Sequence, residues 1–189
     1  MTSAEYYLGY LRAGVSELED YLLSKEIYWT LDARSPAGEP PYLRLTLGGL
    51  LLAQQRIRGW VLKTTQSNEF IELEKAISDT AYRWHVAWGE KAALEFHTSL
   101  HLWQEFLEEY IVDLEANFDR YSYEVRRRAI LSLLSSQAIG ITSVDLDLLD
   151  GLDRILRDEW VPGEFIWETQ LAGVFMWDSY WYLYGKLKV

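Results

Sequence analysis

The stretch from Asn68 to Phe118 constrains the fold more than any other part of the sequence, because its apolar residues keep helical spacing throughout. A single helix of this length would measure about 75 Å, whereas a compact chain of 189 residues has a radius of gyration of about 16 Å. Gly89 is the one candidate for a break, and no capping residue or proline follows it. We expect one long helix, bent near Gly89, in preference to two, and its ends would project beyond the domain unless a partner covers them.

Helical spacing also recurs before and after this stretch. Together the patterns predict an all-α fold, a single domain over residues 1–189 built as a bundle of about five or six helices. The helices outside the long stretch are expected to begin near Thr2, Thr46, Ser122 and either Thr142 or Ser143. The first of them shows capping-box spacing between Thr2 and Glu5.

Three segments have other patterns. Ile27–Leu31 is rich in β-branched and aromatic residues, which predicts an extended conformation. Ser35–Pro41 contains several prolines and a glycine and predicts a loop. The aromatic C-terminal segment from Trp160 to Tyr184 fits a helix face and a strand face about equally well. We expect it to form a short helix or an irregular segment packed on the bundle.

The composition excludes several classes of function. There is no cysteine, so disulfides, thiolate metal sites and cysteine nucleophiles are excluded. A net charge of −11 disfavours nucleic-acid binding, because that affinity comes largely from neutralising phosphates. The N-terminus lacks the pattern of a secretory signal, and the longest apolar run, Leu45–Ala53, is about half a membrane span. We expect a cytoplasmic protein with neither nucleic acid nor membrane as a partner.

The basic residues cluster once, at Arg126–Arg128, just after Arg120. We interpret this cluster as a solvated helix face paired with Glu124, with an anion-binding site as the alternative.

The aromatic content is the unusual feature of the composition, with 9 Trp, 13 Tyr and 6 Phe. Aromatic residues at helical spacing usually form the core, but an excess this large also favours a self-association surface or an apolar ligand pocket. The candidate pocket residues are Trp84, Trp88, Trp103, Gly48 and Gly49. The two glycines fall in the first turn of a predicted helix, where their amides could hold an anion. We prefer the interpretation that they let a neighbouring helix approach, since no phosphate-binding glycine motif surrounds them.

His97 and His101 are candidate metal ligands, because residues four apart share one face of a helix. The residue after His97 is threonine, so the pair does not form the zinc-protease motif, which has glutamate there. The acidic segment Asp145–Gly151 fails as a calcium loop, since leucine occupies its fifth and twelfth positions counted from Asp145.

These observations define no catalytic constellation and imply no cofactor. The preferred hypothesis is a non-catalytic interaction or scaffold protein that self-associates, as a homodimer, or that binds another protein. One alternative is a helical bundle that binds a small molecule in an aromatic-lined pocket. The other is a metal-dependent enzyme that uses His97 and His101.

Overall fold

The computed structural model describes residues 2–188 and is mostly helical, which confirms the predicted predominance of helix. Six helices of at least twelve residues form its body: α1 (Ala4–Leu23), α2 (Leu47–Arg58), α3 (Thr64–Arg83), α4 (His85–Val112), α5 (Tyr121–Leu134) and α6 (Ser143–Glu159). Two three-residue strands, β1 (Trp160–Pro162) and β2 (Gly185–Leu187), pair antiparallel. Short helical turns cover Leu114–Asn117, Phe118–Arg120, Thr169–Leu171, Trp177–Tyr180 and Trp181–Leu183.

The single long helix expected between Asn68 and Phe118 is not found, because the stretch divides at Trp84 into α3 and α4. Trp84 has φ −109° and ψ 34°, outside the helical region. The resulting helices of 20 and 28 residues measure about 30 Å and 42 Å. The expected bend at Gly89 is also absent: Gly89 is buried inside α4, and its carbonyl accepts a hydrogen bond from Ile139 at 3.1 Å.

Outside residues 68–118, the helix starts agree with the sequence patterns to within two residues. Ser122, predicted to cap α5, is instead its second residue, and Arg120 precedes the helix without a side-chain cap. Ser3, not Thr2, caps α1, its hydroxyl accepting the amide of Tyr6 at 3.1 Å. Thr46 caps α2 as expected, since its hydroxyl accepts the amide of Gly49 at 2.9 Å. Thr142 caps α6, and Asp145 completes a capping box. Small shifts of this kind leave the buried face of each helix unchanged.

The segment predicted to be extended forms a single bridge, Trp29 to Leu45, with backbone bonds of 3.0 and 2.7 Å. The Trp29 indole N–H also donates to Glu17 on α1 at 2.7 Å. The loop between α1 and α2 is therefore fastened to α1 at this point.

The C-terminal aromatic segment packs on the helices as short turns, as predicted. It begins with strand β1 and is followed by strand β2, and neither strand was predicted. β2 pairs with β1 in the register Trp160 to Leu187. The Tyr121 hydroxyl on α5 donates to the carbonyl of Tyr182 at 2.6 Å. Phe175, Tyr182 and Leu183 are fully buried, so the segment is part of the core.

Lys91 on α4 joins two helices through a buried ammonium group. Its Nζ donates to the carbonyls of Ser24 and Glu26, each at 2.8 Å, and lies 4.7 Å from the ring of Tyr21. The first of these carbonyls belongs to the cap of α1, where a cation also interacts favourably with the helix dipole.

No helix within residues 2–188 combines the length and the apolar character that crossing a membrane requires.

Candidate ligand-binding cleft

A cleft of about 1130 Å³ opens between four helices and two connecting segments. Its walls come from α1, α2, α4 and α5, from the loop before α2 and from residues 166–170. The contributing side chains follow helical spacing: Gly49, Leu52, Ala53 and Arg56 on α2, Glu95, Ser99 and Leu102 on α4, and Tyr123, Arg126, Arg127 and Ile130 on α5. Each helix thus turns one continuous face to the cleft.

Four arginines line this cleft although the protein is strongly acidic. They are Arg44, Arg56, Arg126 and Arg127. Arg126 stacks on the ring of Tyr123 at 3.9 Å, and no carboxylate within residues 2–188 lies in ion-pair distance of it. Arg127 is paired with Glu124, as the sequence interpretation proposed for this cluster. A guanidinium that is oriented by an aromatic ring and lacks a carboxylate partner is a suitable donor to an external anion.

Arg56 holds the C-terminal segment at the side of the cleft. It donates to the Tyr7 hydroxyl at 2.6 Å and pairs with Glu168 at 3.4 Å. Its guanidinium also lies 4.7 Å from the ring of Trp167. The side chains of both ion-pair partners are less than one-fifth exposed. This wall is therefore built from an ion pair and a stacked aromatic ring.

Glu95 is a buried carboxylate in the lining of the cleft, with 3% of its surface exposed. Its Oε2 accepts the backbone N–H of Gly48 at 2.8 Å. Burial raises the pKa of Glu95 to about 7, against hydrogen bonds from Gly48, Thr46 and Leu47 that lower it. No cationic side chain within residues 2–188 forms an ion pair with Glu95. An acidic group that titrates near neutrality in a cleft is a common feature of functional sites.

Tyrosines form the wall contributed by α1. Tyr6 and Tyr7 meet edge to face at 5.3 Å, and the Tyr10 hydroxyl donates to the carbonyl of Arg44 at 3.4 Å. Burial, and then the charge of Glu95, raises the pKa of Tyr10. Tyr10 is therefore a neutral phenol at physiological pH, and this wall offers aromatic surface and hydroxyl groups without charge.

The structure separates the five residues that were predicted to form a ligand pocket. Gly49 lines the cleft, and the Gly48 amide is bonded to Glu95. A methyl group on Gly48 would overlap Ile130 of α5 and Glu95, which fits the predicted close approach of a neighbouring helix. The same amide at the start of α2 binds an internal anion, the Glu95 carboxylate.

The predicted tryptophans lie outside the cleft. Trp103 is fully buried in the core and stacks on Phe106 at 5.5 Å. Trp88 lines a second, smaller depression of about 470 Å³, where its indole N–H donates to Gln137 at 3.2 Å. Trp84 is half-buried at the junction of α3 and α4.

The two candidate metal ligands face separate carboxylates. His97 lies 3.2 Å from Asp145 on α6, and His101 lies 3.2 Å from Glu105 on its own helix. Within residues 2–188, no group of three or more metal-ligating side chains has the geometry to hold an ion. Asp145 also accepts the amide of Thr142 at 2.8 Å, so it is used in capping α6.

Glu95, Arg44 and Arg56 were not singled out from the sequence, because each appears there as an isolated charge. One signal was present: Glu95 and Ser99 lie next to Phe96 and Leu100, on the apolar side of the predicted helix. Polar residues on a buried helix face often belong to a site.

Searches of protein-family models, of curated proteins and of solved structures give no significant match to this chain.

Proposed function

We propose that the protein binds a small organic anion with an aromatic or apolar body in the cleft between α1, α2, α4 and α5. The observation that carries the proposal is that four arginines line one cleft in a chain of net charge −11, and that one of them, Arg126, has no carboxylate partner within residues 2–188. The net negative charge of the chain repels anions at long range. An anion would therefore have to be attracted by arginines close to it in the cleft.

The individual arginines have different roles in the proposed site. Arg126 has no carboxylate partner within residues 2–188 and is oriented by Tyr123, so it is the first candidate to bind the acid group of the ligand. Arg56 is already engaged with Glu168 and Tyr7 and contributes mainly to the shape of the wall. Guanidinium groups bind carboxylates and phosphates through paired hydrogen bonds, which gives orientation as well as affinity.

The remaining surface suits the body of such a ligand. Tyr6 and Tyr10 on one side and Leu52 and Ile130 on another supply aromatic and aliphatic surface. The volume of about 1130 Å³ is slightly above the roughly 300–1,000 Å³ of most small-molecule pockets, so the cleft has room for such a body.

Self-association is a second proposal. Its main reason in the sequence was the length of the predicted helix, and the break at Trp84 removes that reason. What supports it now is the exposure of Ile111 and Val112 at the end of α4, 51% and 87%. Native mass spectrometry of untagged protein at micromolar concentration measures subunit number and retained ligand together. A monomeric spectrum would contradict self-association and leave the cleft proposal unaffected.

The binding proposal predicts that Arg126→Ala weakens the affinity for organic anions at least tenfold. Losing one charged hydrogen-bond donor costs about 1.5–3 kcal/mol, and each 1.4 kcal/mol corresponds to about a factor of ten. The probes are hexanoate, benzoate and phenyl phosphate, titrated at low ionic strength. The readouts are heat of binding and quenching of tryptophan fluorescence, since Trp167 lines the cleft.

The matched control is Arg154→Ala, which removes the same charge from an exposed position on α6 outside the cleft. We expect the control to bind like the wild type. Equal affinities of all three proteins would contradict the proposal, as would the failure of every probe to bind the wild type.

A further inference from the structure

Glu95 on α4 contacts the start of α2, and two of the cleft arginines, Arg56 and Arg126, lie further along their own helices. Glu95 is bonded to Gly48 in the first turn of α2, whereas Arg56 is in its last turn, about 12 Å further along the axis. Ile130 of α5 packs beside Gly48, and Arg126 precedes it by about one helical turn, or about 6 Å. By these backbone positions, Arg56 and Arg126 lie apart from Glu95 along the cleft.

The region around Glu95 lacks a cation. A carboxylate removed from water is strongly destabilised unless a positive charge or several hydrogen-bond donors compensate it. Within residues 2–188, the donors to Glu95 are uncharged groups of Gly48, at 2.8 Å, Leu47 and Thr46, and no ammonium or guanidinium group pairs with it. By contrast, Glu124, the other buried glutamate, is paired with Arg127 and Arg120.

The groups beside Glu95 suit a cationic guest. Tyr10 lies close enough for the charge of Glu95 to affect it, and aromatic rings attract ammonium groups. Ser99 follows Glu95 by one helical turn, is 7% exposed and lines the same cleft, so its hydroxyl is a further acceptor.

We propose that the cleft takes a zwitterionic small molecule, an amino acid whose ammonium group binds Glu95 and whose acid group binds Arg126. This inference rests on the proposed function and names the class of its ligand. The ammonium group supplies the positive charge that the buried carboxylate lacks. The two charged groups of the ligand have to be several carbon atoms apart, since Arg126 comes about one turn of α5 before Ile130, the residue that packs beside Gly48 and Glu95.

The test compares 6-aminohexanoate with hexanoate and hexylamine, which carry one charged group each on the same carbon chain. For the wild type at pH 8, we expect 6-aminohexanoate to bind at least tenfold more tightly than hexanoate. In Glu95→Gln this advantage should disappear while the affinity for hexanoate is retained. In Arg126→Ala both acids should weaken by the same factor. Glu90→Gln, an exposed change on the same helix, is the matched control and should bind like the wild type.

The outcomes separate the two proposals. Equal binding of 6-aminohexanoate and hexanoate by the wild type would overturn the zwitterion proposal and leave anion binding intact. An advantage that persists in Glu95→Gln would also overturn it, because the ammonium group would then bind elsewhere. Failure of both acids to bind the wild type would contradict both proposals. Equal binding of the two acids by the wild type overturns the zwitterion proposal even if Glu95→Gln folds poorly.

Discussion

Glu95→Gln is expected to be more stable than the wild type at pH 8 by about 3 kcal/mol, and close to it at pH 4. The reason is that burial raises the pKa of Glu95 from 4.5 to about 7. A shift of one pKa unit corresponds to about 1.4 kcal/mol of differential stability. Glutamine has nearly the same shape, keeps an acceptor for the amide of Gly48 and carries no charge to be desolvated.

The sign follows from the protons bound in each state. Between pH 4.5 and 7 the folded protein keeps a proton on Glu95 that the unfolded chain has released. Stability from this group is therefore fully present below pH 4.5 and is lost as the pH rises through 7. The wild type should lose stability relative to Glu95→Gln across this window and run parallel to it above the window.

The measurement is urea unfolding of both proteins at several pH values from 4 to 8. Tyr10 and Tyr21 face Glu95 from α1, and burial raises the pKa of both, so they stay neutral throughout this range. The other ionisable groups are common to both proteins and cancel in the difference. A difference that is constant from pH 4 to 8 would contradict the prediction.

Asp153→Asn is expected to lower the free energy of unfolding by about 3 kcal/mol, because it leaves a nearly buried guanidinium without its counterion. Arg128 on α5 donates to both oxygens of Asp153 on α6, from Nε and Nη2 at 2.7 Å each. The two side chains are 11% and 16% exposed. Arg128 also donates to Ser132 at 2.7 Å and lies 4.8 Å from the ring of Tyr182. One ion pair therefore connects α5, α6 and the C-terminal segment.

Thermal and urea unfolding test this prediction, with Asp147→Asn as the control. Asp147 is an exposed residue of α6, and a surface charge of this kind contributes at most about 1 kcal/mol. Equal stability of Asp153→Asn and the control would show that the ion pair does not hold the C-terminal segment in place.

Local sequence patterns predicted the start of a helix correctly where the start depends only on neighbouring residues. The apolar spacing of α6 and the cap residue Thr142 predict its start, and its observed span is Ser143–Glu159. Thr46 likewise marks the start of α2. These features depend on side chains within a few residues of one another, and such short-range contacts can be inferred from the chain alone.

The division of the long helical stretch depended on distant contacts. Nothing near Trp84 in the sequence ends a helix, because the residue is neither proline nor glycine and no cap follows it. In the structure α3 packs mainly against α1, while α4 packs mainly against α5. The packing therefore sets the break at a residue that has no local signal.

The sequence by itself determined a predominantly helical protein, because the period of its apolar residues selects helix. It left open whether the many aromatic residues form a core, an interface or a pocket. It also identified the arginines at 126–128 as a cluster. Only the tertiary structure decided that Arg126 joins Arg56 and Glu95 in one cleft, since these residues come from three helices and their distance depends on how the helices pack. Burial, which exists only in the folded chain, then separates Glu95 from the other carboxylates and raises its pKa.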